Sequence, residues 1–234
     1  MKTKKRINVN GTIYAVRTSI YTVNESPVHI SDNMTGKMLN VCSVGTACTV
    51  NPYCQARMKR GDAVCVKCFA DRALHGFKGA NMRACLESNY KLLTEQVLDL
   101  DLLPRFKKVV DIVRIESFGD VGNVTHAINY INIVKLNPHV TFTAWTKNDN
   151  FWKQAFDRVG KPKNLIMVFS SLYLNKPQVP KASIKYFDHN FTVYDHETAA
   201  FYGDGFINCG ARSCDTCRRC YTKGTEFSVR ELLK

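Results

Sequence analysis

No stretch of this 234-residue sequence is apolar for long enough to cross a bilayer as a helix, and none has the apolar core of a secretory leader. The opening, Met1 to Val16, is basic and runs straight into polar residues. A cytoplasmic chain with no membrane partner is the expectation. Internal repeats and low-complexity linkers are missing too, so a single domain over 1–234 is the simplest organisation. Acidic residues are in short supply: 20 stand against 33 basic ones, a net charge of +13. That balance suits polyanionic partners, DNA or RNA among them, through neutralised phosphates and released counterions. A generally soluble basic surface has the same balance.

Cysteine is abundant. A chain of this length buries a core without covalent staples. In a reducing compartment its ten cysteines therefore point to metal ligation or thiol chemistry, not to a disulfide framework.

Strands alternate with helices along the chain. Thr12 to Val23, rich in β-branched and aromatic residues, reads as a strand or hairpin. Met82, Leu86, Leu93 and Val97 recur at helical spacing between Gly79 and about Leu98. Strand-like runs follow at Val109 to Glu116, Val140 to Trp145, Leu165 to Phe169 and Phe191 to Tyr194. Between them, Val124, Ala127, Ile128, Ile131 and Val134 give one helix its stripe, and Phe151, Trp152, Ala155 and Phe156 another. The alternation implies an α/β fold with a parallel sheet, open or curled into a partial or distorted barrel. Chemistry collects at the carboxyl ends of such strands. The residues expected there are polar: Arg114, Glu116 and Asp120, then Thr146 and Lys147, then Ser170 and Ser171, then Asp195 and His196. Strands also end in polar residues simply because they reach water there.

The cysteines fall into two loops. At the C-terminal end, over 209–220, Cys209-x4-Cys214-x2-Cys217-x2-Cys220 lets one short turn wrap its thiolates around a compact inorganic cluster. The spacing leans toward iron–sulfur, a 4Fe–4S cluster in particular, while a four-cysteine zinc site stays open. At the N-terminal end, over 42–68, Cys42, Cys48, Cys54, Cys65 and Cys68 are spread more loosely, and only Cys65-Val-Lys-Cys68 is a tight knuckle. Cys85 falls beside Met82 and Leu86 and reads as a core residue. Nine candidates remain, one more than two four-cysteine sites need, and Cys54 is the most dispensable.

In order and spacing these motifs resemble gene product 88, a family of phage and mobile-element proteins. The resemblance runs from about Cys42 to Tyr221. It comprises Cys42-x5-Cys48, Cys68-Phe69-Ala70, Phe118-Gly119-Asp120, Trp145-Thr146-Lys147 and Cys214-x2-Cys217-x2-Cys220. It implies a phage- or mobile-element-encoded protein expressed in a bacterial host. The chain departs from the family at Cys42-Ser43-Val44, where the family has Cys-Pro-Gly, and in the extra Cys54 and Cys65. A cysteine loop ahead of strand–helix units also looks like radical S-adenosylmethionine enzymes, which would make that molecule a further cofactor. The chain lacks their contiguous Cys-x3-Cys-x2-Cys motif, so the likeness is one of fold only.

Three functions follow from these residues. In the first, the chain is an iron–sulfur enzyme of redox or radical type. Arg114 or Lys147 holds an anionic substrate, Glu116 or Asp120 handles a proton, and Ser170 and Asp195 line the cofactor. In the second, metal sites brace a noncatalytic surface that binds nucleic acid through Arg57, Lys59, Arg60, Arg218 and Arg219, helped by the Lys4-Lys5-Arg6 arm. The third makes one cysteine a nucleophile or redox thiol beside His126 or His196.

Overall fold

The computed structural model describes residues 5–33, 36–76, 79–178, 182–210, 213–223 and 227–233. The Lys4 end of the basic arm, and Arg212, lie outside them. A hairpin of β1 (Arg6–Val9) and β2 (Thr12–Ala15) comes first. Its turn is Asn10-Gly11, at φ 47° and 77°, because a two-residue hairpin needs both central residues left-handed. The hairpin thus lies earlier than the Thr12 to Val23 span expected of it; beyond Ala15 only isolated bridges, Arg17 to Ser26 and Thr22 to Phe106, continue the pairing.

A seven-stranded sheet carries the rest. Its spatial order is its chain order: β3 (Ile30–Ser31), β4 (Cys42–Val44), β5 (Ile112–Ile115), β6 (Thr141–Thr146), β7 (Leu165–Ser170), β8 (His189–Tyr194) and β9 (Phe227–Leu232). Every pairing is parallel except that of β3 with β4. The ladder runs from one edge to the other without closing, so the fold is α/β with a mostly parallel sheet. The helices are α1 (Pro52–Met58), α2 (Phe69–His75), α3 (Ala80–Glu95), α4 (Val124–Leu136), α5 (Asp149–Val159), α6 (His196–Tyr202) and α7 (Cys214–Cys217). None is long and apolar enough to cross a membrane among the described residues.

Alternation along the strands divides the sheet into two faces. On one, Val44, Val113, Ile115, Phe142, Ala144, Leu165 and Met167 share the main core with Ala127, Tyr130, Ile131 and Trp152 of the covering helices. There α3 packs on α4 and α4 on α5, as unreversed right-handed crossovers require. On the other face, Ile112 meets Cys214, Cys220 and Tyr221. Val168, Phe191 and Val229 meet Cys209 and Cys220. The C-terminal cysteine segment therefore covers the face that the helices leave open.

The four runs expected as strands appear as β5, β6, β7 and β8, with β7 buried along its whole length. Two expectations overreach. Val109 is 81% exposed and lies outside β5, and Val97 is 50% exposed, beyond the end of α3.

Candidate metal centres

Four N-terminal thiols converge from three separate segments at the carboxyl ends of the strands. Cys48 follows the turn after β4, Cys54 lies on α1, Cys65 lies in the turn before α2, and Cys68 is the residue that caps the start of α2. Cys48 donates its thiol proton to Cys68, a pairing that pushes Cys48 up and draws Cys68 well below the ordinary thiol value. The backbone N–H groups of Ala70 and Asp71, in the first turn of α2, also favour the Cys68 thiolate. Burial pushes Cys54 and Cys65 up, with Cys65 acting on Cys54 and Cys68 on Cys65. Backbone contacts hold the group over the sheet: Val64 N–H donates to Leu172 beyond β7 (2.9 Å), and Cys48 N–H to Phe118 beyond β5 (3.0 Å).

Glu116 and Asp120, expected to handle protons, instead knit this loop system together. Both are buried. Glu116 has φ 56°, a left-handed conformation that costs a residue with a Cβ about 1 kcal/mol. One carboxylate oxygen accepts from Thr46 N–H (3.1 Å), the other from the Thr46 hydroxyl (2.8 Å) and the Tyr130 hydroxyl (2.6 Å). Asp120 accepts from the Thr146 hydroxyl (2.5 Å) and from the N–H groups of Lys147 (2.7 Å) and Val121 (2.8 Å). The Asn51 side chain donates to its carbonyl (2.6 Å), and the same side chain caps α1. With their acceptors committed to the protein, both carboxylates position the Cys48 loop.

His126 belongs to this network too. Gly122 N–H donates to its Nδ1 (3.1 Å), which leaves the ring proton on Nε2, 3.5 Å from Glu116. Burial lowers its pKa to about 3, so the ring is neutral and structural. His196 begins α6, away from the thiols.

Burial raises the Glu116 acid from 4.5 to about 7. The folded state therefore binds more protons than the unfolded chain between those values. Stability falls as pH rises through that window, by about 3 kcal/mol in total. Urea unfolding at about pH 5 and about pH 8 measures this, and Glu116→Gln is expected to flatten the difference. An equal slope in the variant would assign the pH dependence to other groups.

The C-terminal thiols form a second group on the sheet face that the helices leave open. Lys37 donates to Cys209 Sγ (3.2 Å) and pairs with Glu231 (3.0 Å). Burial raises Cys214, and Cys220 to about 12, while Arg114 opposes both shifts. Cys209, Cys214 and Cys217 all act on Cys220. The Thr143 hydroxyl, at mid-strand in β6, donates to the Cys220 carbonyl (2.9 Å). Arg114 stacks its guanidinium on Trp145, 3.9 Å from the ring centre. The two groups thus occupy different places, one over the strand ends and one against the sheet face opposite the helix-side core.

Cys42 is the thiol to remove from the ligand set. Its register partner is Val113, and it packs in the helix-side core, where burial pushes it to about 12. Cys54, the most dispensable by spacing, stands inside the N-terminal group. Cys85 is half-buried, not core, and accepts from Arg17 (3.5 Å). Lys147 donates from Nζ to Ser170 Oγ (2.9 Å), and its carbonyl accepts from the Tyr53 hydroxyl (2.7 Å), so Lys147 and Ser170 do lie beside the N-terminal thiols. Asp195 caps α6 through Thr198 N–H (2.8 Å) and binds Asn175 (2.7 Å), which makes it a structural residue. Among the basic residues, Arg57 stacks on Tyr53, Lys59 ends α1, and Arg60 pairs with Asp62 (2.6 Å). Arg218, at φ 49°, pairs with Asp111 and Asp215 and ends α7, while exposed Arg219 follows in the next turn.

Among the described residues, no three His, Cys, Asp or Glu side chains stand ready around a single metal ion. What the chain supplies is donor chemistry: two sets of four thiols, the members of each linked by their interactions, with the N–H groups of Ala70 and Asp71 directed at Cys68. No curated protein and no solved structure matches the chain, and the likeness to radical S-adenosylmethionine enzymes finds no support in these comparisons. The motifs Phe118-Gly119-Asp120 and Trp145-Thr146-Lys147 lie where loops and thiols meet, and a family model described as Gene product 88 matches residues 2–223. The chain belongs to the gene product 88 family.

Proposed function

We propose that the chain is an iron–sulfur protein that acts on an anionic substrate at the carboxyl ends of its strands. The observation that carries the reading is the convergence of Cys48, Cys54, Cys65 and Cys68 from successive elements of one loop region, folded back over the strand ends. A second set, Cys209, Cys214, Cys217 and Cys220, serves as ligands on the sheet face opposite the helix-side core. Thiolate sets of this kind suit iron–sulfur clusters, which supply a one-electron couple when bound.

The chain's own residues set the rest. The Lys147 ammonium attracts the anion, and Ser170 fixes the direction from which the ammonium approaches it. Glu116 and Asp120 keep the Cys48 loop and the Lys147 backbone in register. Trp145 and Arg114 close the opposite sheet face beneath. The sheet is a partial barrel in this reading. Flat, its six strand spacings would separate the edges by about 29 Å. Lys37, shortly after one edge strand, nevertheless reaches Glu231 on the other.

Anaerobic reconstitution with iron and sulfide, followed by electron paramagnetic resonance, tests the proposal. The expected protein is brown and becomes paramagnetic on reduction with dithionite. A colourless protein that takes up only zinc would end the reading.

A further inference from the structure

The two cysteine groups sit in opposite electrostatic surroundings. Around the N-terminal group carboxylates are prominent: Asp120 and Glu116 act on Cys54, and Asp71 on Cys48, against Lys147 and Arg57. Around the C-terminal group the ordering is reversed. Arg114 acts on both Cys214 and Cys220, and Lys37 donates directly to Cys209 while sharing its charge with Glu231.

Buried donors on that side lack acceptors. Arg114 Nε and Trp145 Nε1 are buried with no hydrogen-bond partner, and Arg114 and the Tyr221 hydroxyl, which interact with one another, both act with Cys214 and Cys220. An unpaired buried donor costs about 1 to 3 kcal/mol. Neutral thiols are poor acceptors, whereas thiolates and sulfides accept such groups and are tuned by them.

We infer that Arg114 and Lys37 compensate the charge of a metal–thiolate centre at Cys209, Cys214, Cys217 and Cys220. Their charge holds that centre at a more positive reduction potential than its N-terminal counterpart. Cations stabilise the reduced, more negative state of a cluster, and carboxylates oppose it. The inference rests on the iron–sulfur reading for its redox part only, since charge compensation applies to any thiolate-bound metal. Arg114 and Lys37 are positioning residues, and neither is needed as a ligand.

The test uses the full chain carrying Cys48→Ser and Cys68→Ser, so that only the C-terminal centre fills. Into it go Arg114→Gln, Arg114→Lys and Lys37→Gln. Lys37 lines a cavity of about 500 Å³ with Cys209 and Glu231, so its replacement leaves the sealed core alone. Under dithionite titration followed by electron paramagnetic resonance, the parent should reduce at a more positive potential than the centre left in the reciprocal Cys214→Ser, Cys217→Ser protein. Arg114→Gln should lower the reduced-to-oxidised ratio at fixed potential about tenfold, with Lys37→Gln moving it the same way and Arg114→Lys restoring it. If the C-terminal centre carries zinc, the iron–sulfur reading fails there. Charge compensation is then judged by chelator competition, in which Arg114→Gln should surrender zinc about tenfold more readily than Arg114→Lys. A C-terminal centre that takes no metal, or whose potential or metal retention ignores both residues, overturns the inference.

Discussion

Replacing Cys48 and Cys68 together by serine should remove about half of the metal bound by the chain and leave the remainder on Cys209, Cys214, Cys217 and Cys220. The two thiols are joined by a hydrogen bond and link the turn after β4 to the start of α2, so their loss takes away two of four ligands and the contact that joins two segments. Serine keeps the size and discards the soft donor that iron and zinc both prefer. Cys42→Ser is the decisive contrast. Cys42 faces the helix-side core, so its replacement should cost about 1 to 3 kcal/mol through a buried hydroxyl and leave metal content unchanged. Cys85→Ser should alter neither. Elemental analysis and urea unfolding on the same preparations separate these outcomes. Loss of metal in Cys42→Ser would return Cys42 to the ligand set.

Gly119→Ala should unsettle the N-terminal centre without touching any ligand. A Cβ at Gly119 would lie 2.6 Å from the Thr46 carbonyl oxygen, 2.8 Å from the Thr46 hydroxyl and 2.9 Å from Glu116. Each of the two side-chain atoms is already held, since the Thr46 hydroxyl donates to the other Glu116 oxygen and the crowded Glu116 oxygen accepts from Thr46 N–H, and the third atom is backbone, so no flexible side-chain end can move aside. Overpacking of this kind costs roughly 1 to 3 kcal/mol. The displaced residue, Thr46, sits two positions before Cys48, so the strain falls on the ligand loop. The expected result is a lower urea midpoint and loss of metal from the N-terminal centre, with the C-terminal centre retained. A Gly119→Ala protein that keeps full metal and wild-type stability would show that the loop tolerates the shift, and the Gly in Phe118-Gly119-Asp120 would need another explanation.

Much of the frame was legible in the sequence, because strands buried on both faces and helices with one apolar stripe leave strong local patterns. Leu165 to Ser170 is the plainest case. Four strands escaped that reading, β1 and β3 as well as β4 and β9. β4 is three residues long inside a cysteine loop, and the strand signal of Val41-Cys42-Ser43-Val44 is masked there by the cysteine spacing. β9 follows the second cysteine loop, and its Arg230 and Glu231 break the apolar run. The C-terminal thiols could be grouped by spacing alone. The N-terminal group could not, because Cys54 reaches Cys48 and Cys65 only through the packing of α1 on its neighbours, a tertiary event that spacing does not record. The carboxylates teach a related lesson. Their position at strand ends was legible, but burial and saturation by Thr46, Tyr130 and Thr146 depend on residues that carry no signal of their own. Lys37 likewise had no sequence mark, since its partners are the remote Cys209 and Glu231.

Iron and acid-labile sulfide, counted per chain in protein purified and kept without oxygen, bear most directly on the central claim that these thiols hold iron–sulfur clusters. The expected result is equal iron and sulfide, about eight of each for two four-iron clusters. Protein that carries zinc without sulfide, or no metal at all, would contradict it.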